Sequence, residues 1–111
     1  MEVVSYPRRD EVWLISLDPS RGSEIKKTRP CLVVSPDEMN EPLQTVIVAP
    51  LTMTMRDYPT RVSVNFRGRT GQVALDQLRA VDRQPLVRKL GTIVPKAAAE
   101  VSRLLVEMFV R

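Results

Sequence analysis

Histidine is absent from this chain, and cysteine occurs once, at Cys31. Without imidazole, and with a single thiol, the usual zinc sites and Cys–His or Ser–His catalysis are excluded. Any reaction here must draw on carboxylates, arginine, lysine and hydroxyls. A lone cysteine cannot form an internal disulfide, and Cys31 lies in the apolar run CLVV, which reads as a buried, reduced thiol. No segment approaches membrane-spanning length, and the N-terminal MEVVSYPRRDE lacks the apolar stretch of a secretory signal, so a cytoplasmic protein with no membrane association is expected. Internal repeats, low-complexity tracts and linkers are missing too.

What remains is enough for one domain, residues 1–111, with a single core. The chain is 43% hydrophobic and 27% charged, the balance of a folded protein rather than a disordered one. Its net charge of +4 favours acidic partners, nucleic acid first, although such basicity is common among ordinary domains.

The patterning is mostly that of short strands. EVWLISL (Glu11 to Leu17) predicts the first, ended by Asp18-Pro19. A charged loop follows, then a strand from Cys31 to Ser35. Pro36 to Leu43 is a turn-rich connection. TVIVAPL (Thr45 to Leu51) is rich in β-branched residues and predicts a third strand, with Pro50 at its margin. After a polar loop, Thr52 to Thr60, the run Arg61 to Phe66 alternates polar and apolar as a half-exposed antiparallel strand does. Gly68 and Gly71 mark turns around a further strand, Gln72 to Val81, and a short strand at Arg88 to Thr92 closes the sheet. Pro95 suits the first position of a helix. Beyond it, Val101, Leu104, Leu105, Met108 and Phe109 repeat with helical spacing, which predicts one amphipathic helix. The expected fold is mainly β with α: a small SH3-like antiparallel barrel with a C-terminal amphipathic helix.

The charged loop and its strand, SRGSEIKKTRPCLVVSP, raise the functional question. Pairing this strand with the third about the connection near Asn40 sets Arg29 opposite Leu51 or Thr52 at one rim, and the loop holding Glu24 leads into that rim. Each residue alone has an ordinary explanation. Arg29 could be a surface ion-pair partner, Thr52 a turn former, and Glu24, Lys26 and Lys27 solvated charges. Trp13 suits the core better than a base-stacking platform. Convergence is what gives the set meaning.

With RNA as partner, one reaction needs no metal: the ribose 2′-OH attacks the neighbouring phosphorus and expels the 5′-oxygen, leaving a 2′,3′-cyclic phosphate and a 5′-OH. A carboxylate can accept the 2′-OH proton, and Glu24 is the candidate. Arg29 offers a planar fork of donors for phosphate oxygens whose charge grows in the transition state. Thr52 can donate a hydroxyl to the same phosphate. Arg56, Arg61, Arg67, Arg69 and Arg79 either track the RNA backbone or form a solvated face. Sequence preference would depend on how the Thr52 to Thr60 loop splays and stacks bases.

The order DEVWLISLDPSRGSEIKKTRPCLVVSP, TVIVAPLT, VALDQLRAVD resembles the MazF/PemK toxins of bacterial toxin–antitoxin modules, from about Asp10 to the C-terminal helix. That resemblance implies a homodimeric, metal-independent endoribonuclease that needs no cofactor and cuts single-stranded RNA at short sequences. It also implies an SH3-like barrel related to the CcdB gyrase toxins, and silencing by a cognate antitoxin whose acidic C-terminal tail fills the RNA groove. The resemblance places the family's catalytic arginine at Arg29, its threonine at Thr52 and the loop acid at Glu24. RNA contacts are expected from Lys26, Lys27, Thr28, Thr54, Arg56, Asp76 and Gln77. Three positions depart from the pattern: Arg9 replaces a common glycine, while Ala74 and Ser23 stand where the Kid/PemK branch carries an arginine and a histidine. Two other readings stay open, a gyrase-binding toxin without enzymatic activity and a non-catalytic RNA-binding barrel. Against the first, the chain ends EMFVR and its only tryptophan, Trp13, lies near the other end.

Overall fold

The structure is a computed structural model that describes residues 6–16 and 28–111. The first apolar run forms strand β1 (Glu11–Ser16), and the strand beyond the charged loop is β2 (Thr28–Val33). This second strand begins at Thr28 rather than Cys31 because β1 reaches far enough to pair with it, Ser16 opposite Thr28 and Ile15 opposite Arg29. It also stops at Val33, short of Ser35, since Ser35 turns its side chain to other work.

The turn-rich connection contains a short helix, α1 (Asp37–Asn40), held by a buried polar cluster. Ser35 Oγ donates to Asn40 Oδ1 at 2.6 Å and accepts from the Ile47 N–H at 2.9 Å, while Asn40 Nδ2 donates to the Ser35 carbonyl at 2.9 Å. These bonds replace the ladder that the connection lacks, and they fix the entry into β3 (Thr45–Thr52). The antiparallel pairing of β2 with β3 is Cys31 to Pro50, Leu32 to Ala49 and Val33 to Val48.

The remaining strands are β4 (Arg61–Phe66), β5 (Arg69–Ala74), β6 (Arg79–Asp82) and β7 (Leu86–Thr92), followed by helix α2 (Pro95–Phe109). The single strand expected over Gln72 to Val81 is thus two strands separated by a 3₁₀ turn, Leu75–Gln77. The cause lies in β3, whose outer edge pairs with β6 over Thr45 to Val48 and with β5 at Leu51 and Thr52. Four steps along β3, from Thr52 back to Val48, face seven from Gln72 to Arg79, and the surplus forms the turn. Pro50 lies inside β3 rather than at its margin. It falls between those two pairings, where a missing N–H costs least.

The strand path is β4-β5-β3-β2-β1-β7, with β6 also on β3, which makes a curled antiparallel half-barrel. Strand β7 does not close it: β4 and β7 are its two edges. The Phe66 ring lies across that seam against Gly91, so close that a Cβ there would sit 3.1 Å from the ring.

Both faces of the central strands are buried, which is why CLVV and VIVA read as continuous apolar runs rather than alternation. The inner face (Val12, Leu32, Ala49, Val62, Val64, Val73, Leu75) packs beneath α2, which buries Val101 and Leu104. Pro95 occupies the start of that helix, as its pattern predicts. Leu105 and Met108 pack partly on the core, but Phe109 is 70% exposed because the last turn runs past the sheet. The outer face gathers Ile15, Cys31, Val33, Val46, Val48 and Val81, with half-buried Trp13 against them. Trp13 also donates from Nε1 to Glu11 at 3.0 Å. No helix among the described residues is long and apolar enough to cross a membrane.

Asn40→Ala would strip partners from the buried Ser35 hydroxyl and carbonyl. The expected cost is about 1–3 kcal/mol, seen as a melting point several degrees lower in a thermal denaturation scan; an unchanged midpoint would count against the cluster's role.

Candidate active site

Residue parity along the strands assigns the site to one face. Arg29 lies two residues before Cys31 in β2, Thr52 four residues after Val48 in β3, and Arg79 two residues before Val81 in β6. Cys31, Val48 and Val81 all belong to the outer-face cluster. Continuing the β2–β3 register by two residues sets Arg29 beside Thr52. Thr52 is in turn paired with Gln72, and Gln72 with Ser63. One row across the curled sheet therefore reads Ile15, Arg29, Thr52, Gln72, Ser63. The pairs of this ladder end at Cys31 with Pro50, so the placement of Arg29 beside Thr52 is the extension of that register.

Cys31 lies on the same face as Arg29 and Arg79. Burial pushes its thiol up to about 11, while the nearby Arg29 and Arg79 cations pull the other way and do not prevail. The thiol stays protonated near neutrality and is no nucleophile, as its place in the apolar run predicts. Arg79 is thus a second guanidinium on the Arg29 face.

Thr52 is partly buried at the rim, and its Oγ accepts from the Thr54 N–H at 3.0 Å. With that bond made, the hydroxyl proton has no acceptor among the described residues and can donate outward. The strand behind it leaves no room for a side chain: a Cβ on Gly71 would stand 2.8 Å from the Thr52 carbonyl oxygen. Gly71 therefore lies within β5 as a close-approach position, not at a turn; the turn of that hairpin is Arg67–Gly68. On the inner-face side of that rim opens a groove of about 400 Å³, walled by apolar groups such as Leu51, Val64 and Phe66 and rimmed by Arg67 and Arg69. Among the described residues its lining holds no carboxylate.

The other sequence-derived residues divide. Glu24, Lys26 and Lys27 lie outside the described residues. Thr28 is exposed at the start of β2, and Thr54, Arg56 and Gln77 are exposed as expected of contact residues. Asp76 is committed elsewhere: its carboxylate accepts from Arg61 Nε at 2.8 Å, Arg61 Nη2 at 3.4 Å and Thr60 Oγ1 at 3.1 Å. The Arg61 guanidinium holds that carboxyl below its ordinary pKa. Arg61 itself is not a backbone-tracking cation, since its side chain is only 5% exposed and spent within the fold. Sequence reasoning passed over Gln72, which is buried. Its signal was a polar residue inside the otherwise apolar GQVAL.

The family model described as PemK-like, MazF-like toxin of type II toxin–antitoxin system matches residues 8–109. The chain belongs to the PemK/MazF toxin family. It is 33% identical over 107 residues to Endoribonuclease MazF9 of Mycobacterium tuberculosis (strain ATCC 25618 / H37Rv), covering 87% of this chain and 88% of that protein. Among solved structures, it resembles an endoribonuclease in complex with its cognate antitoxin from Mycobacterial species, at a TM-score of 0.77 and 26% identity, covering 91% of this chain and 92% of the other. MazF (Form-I) from Deinococcus radiodurans matches equally well, with a TM-score of 0.77 at 26% identity over 95% and 97% of the two chains. In this PemK/MazF member the Asp-Gln pair thus splits in use, Asp76 bound to Arg61 and Gln77 facing solvent.

Because Asp76 titrates below its unfolded value of about 3.9, its ion pair stabilises the fold above that pH and ceases to do so as pH falls through the folded value. Asp76→Asn is expected to be less stable than wild type at neutral pH and to lose less stability below about pH 4. Denaturant titrations at a series of pH values check this, and parallel curves for the two proteins would contradict it.

Proposed function

We propose that this PemK/MazF protein is the toxin of a toxin–antitoxin pair, acting as a metal-independent, sequence-specific endoribonuclease on single-stranded RNA in the cytoplasm. What carries the reading is the β2–β3 register, which, extended two residues past Cys31 and Pro50, sets Arg29 beside Thr52, with Arg79 on the same face. The endoribonuclease names of its relatives support it.

The chemistry follows from those groups. The planar Arg29 guanidinium binds the two non-bridging oxygens of the scissile phosphate in bidentate fashion. Thr52 donates its free hydroxyl proton to the same phosphate. As the 2′-oxygen bonds to phosphorus, the Glu24 carboxylate takes the 2′ proton, the phosphorane's added charge falls on Arg29 and Thr52, and the bond to the 5′-oxygen breaks. The 5′-oxygen leaves as a hydroxyl by taking a proton from water, and the protonated Glu24 carboxyl returns its proton to solvent, so that the step conserves protons. No step calls for a metal or imidazole. Lys26, Lys27, Thr28, Thr54, Arg56, Asp76 and Gln77 form the surrounding RNA path in this proposal, with Asp76 acting through Arg61.

The toxin works as a homodimer here, and the exposed Val106, Phe109 and Val110 at the end of α2 supply apolar surface suited to cover by protein. A cognate antitoxin with an acidic tail silences the enzyme by seating carboxylates where the phosphates would lie.

Purified protein incubated with long single-stranded RNA in EDTA should give discrete cuts ending in cyclic phosphate. Arg29→Ala should slow cleavage by roughly a hundredfold, the worth of one preorganised donor. Intact RNA, or an undiminished Arg29→Ala enzyme, would sink the reading, and gyrase inhibition alongside intact RNA would point to a non-enzymatic toxin. An acidic peptide from the adjacent reading frame should compete with RNA for the Arg29 face; binding only at a distant surface would rule out the blocking model.

A further inference from the structure

Gln72 stands beside Thr52 in the ladder yet spends its side chain on a different segment. Its Oε1 accepts from the Arg56 N–H at 3.0 Å, and its Nε2 donates to the Arg56 carbonyl at 3.1 Å. One buried amide thus grips both backbone polar groups of a single loop residue, Arg56, as a neighbouring strand would. The Arg61 guanidinium completes the hold: Nη1 donates to Gln72 Oε1 at 3.2 Å and to the Thr54 carbonyl at 3.3 Å, while Nε is tied to Asp76. The Thr54 N–H then reaches Thr52 Oγ. An unbroken run of bonds therefore links Asp76, through Arg61, Gln72 and the loop backbone, to the hydroxyl at the site.

What the latch holds is unusual for a surface loop. Met53, Met55 and Tyr58 are 66%, 47% and 48% exposed, all within six residues of one another and adjoining Thr52. The Arg61 guanidinium lies 5.0 Å from the Tyr58 ring centroid, supporting that ring from behind. A free loop of this length would lose conformational entropy when it ordered around a ligand. Here side chains of the sheet have already ordered it, so the cost is not charged to binding.

We propose that Gln72, with Arg61 and Asp76, positions the Met53-to-Thr60 loop so that Met53, Met55 and Tyr58 offer a preset stacking shelf for the bases flanking the cleaved phosphate, and so that the Thr52 hydroxyl points at that phosphate. This rests on the assignment of Thr52 to the nuclease site. Gln72 touches no substrate; it acts through the loop. Bases splayed from a single strand are recognised by stacking on such flat or soft apolar groups, and Met adapts to any base.

The test uses Gln72→Ala and Gln72→Glu with two readouts, amide hydrogen exchange at Thr54 and Arg56 and end-mapped cleavage of a long RNA. Gln72→Ala should speed exchange at both amides by about tenfold or more, lower kcat by a similar factor and admit cuts at sequences wild type ignores. Gln72→Glu keeps the acceptor for Arg56 N–H and Arg61 but loses the donor, so it should fall between the two, and it carries the test if the alanine variant fails to fold. Unchanged exchange overturns the latch. Faster exchange with the same cut sites and rate overturns its positioning role. If wild type cuts no RNA, the nuclease assignment and the positioning role fall together, whereas the exchange result alone still decides whether the latch exists.

Discussion

The structure depends on one strand serving three partners. β3 pairs with β2 along one edge, and along the other with β6 and then β5. The chain curls into a half-barrel around this strand and has an apolar core on either side of its central strands. The change of partner needs a gap in the outer ladder, and Pro50 fits it because proline brings no N–H to satisfy. The same change forces the 3₁₀ turn that separates β5 from β6, and that turn carries Asp76 and Gln77. It also sets Gln72 next to Thr52 at the far end of the strand. Geometry near the site is therefore a product of pairing rather than of loop choice.

Much of this could be read from the residues. Proline at the head of α2, β-branched runs for the strands and the Arg29–Thr52 register all follow from rules whose causes are local: fixed φ, pleated packing and a short connection. What was illegible has non-local causes. The break after Ala74 is invisible in GQVALDQLRAV because it arises from a register difference in a strand twenty residues upstream. Phe109 has the right helical spacing, yet burial depends on where the sheet ends. Arg61 has the composition of a surface cation, and only its neighbours Asp76, Thr54 and Gln72 show that it is an internal brace. Gly71 looked like punctuation, whereas its demand comes from the Thr52 carbonyl pressing against it across the ladder.

The two cationic roles in the molecule are physically distinct. Arg61 is desolvated and saturated with acceptors, so its charge is neutralised within the fold. Arg29 and Arg79 sit exposed over an apolar floor. That contrast separates structure from function better than net charge does. The buried carboxylate Glu11 follows the internal logic as well. Burial would raise its pKa, but the Arg8 N–H, the Trp13 indole and Lys89 outweigh burial and keep it lowered.

The sulfur of Cys31 lies beneath those exposed arginines, and its environment has a consequence for chemical durability. Peroxides and disulfides attack the thiolate, and with a pKa of about 11 only on the order of one molecule in ten thousand carries that form near pH 7. Burial of the thiol therefore disfavours its oxidation, and with it a sulfenic acid whose polar oxygen would intrude between packed strands.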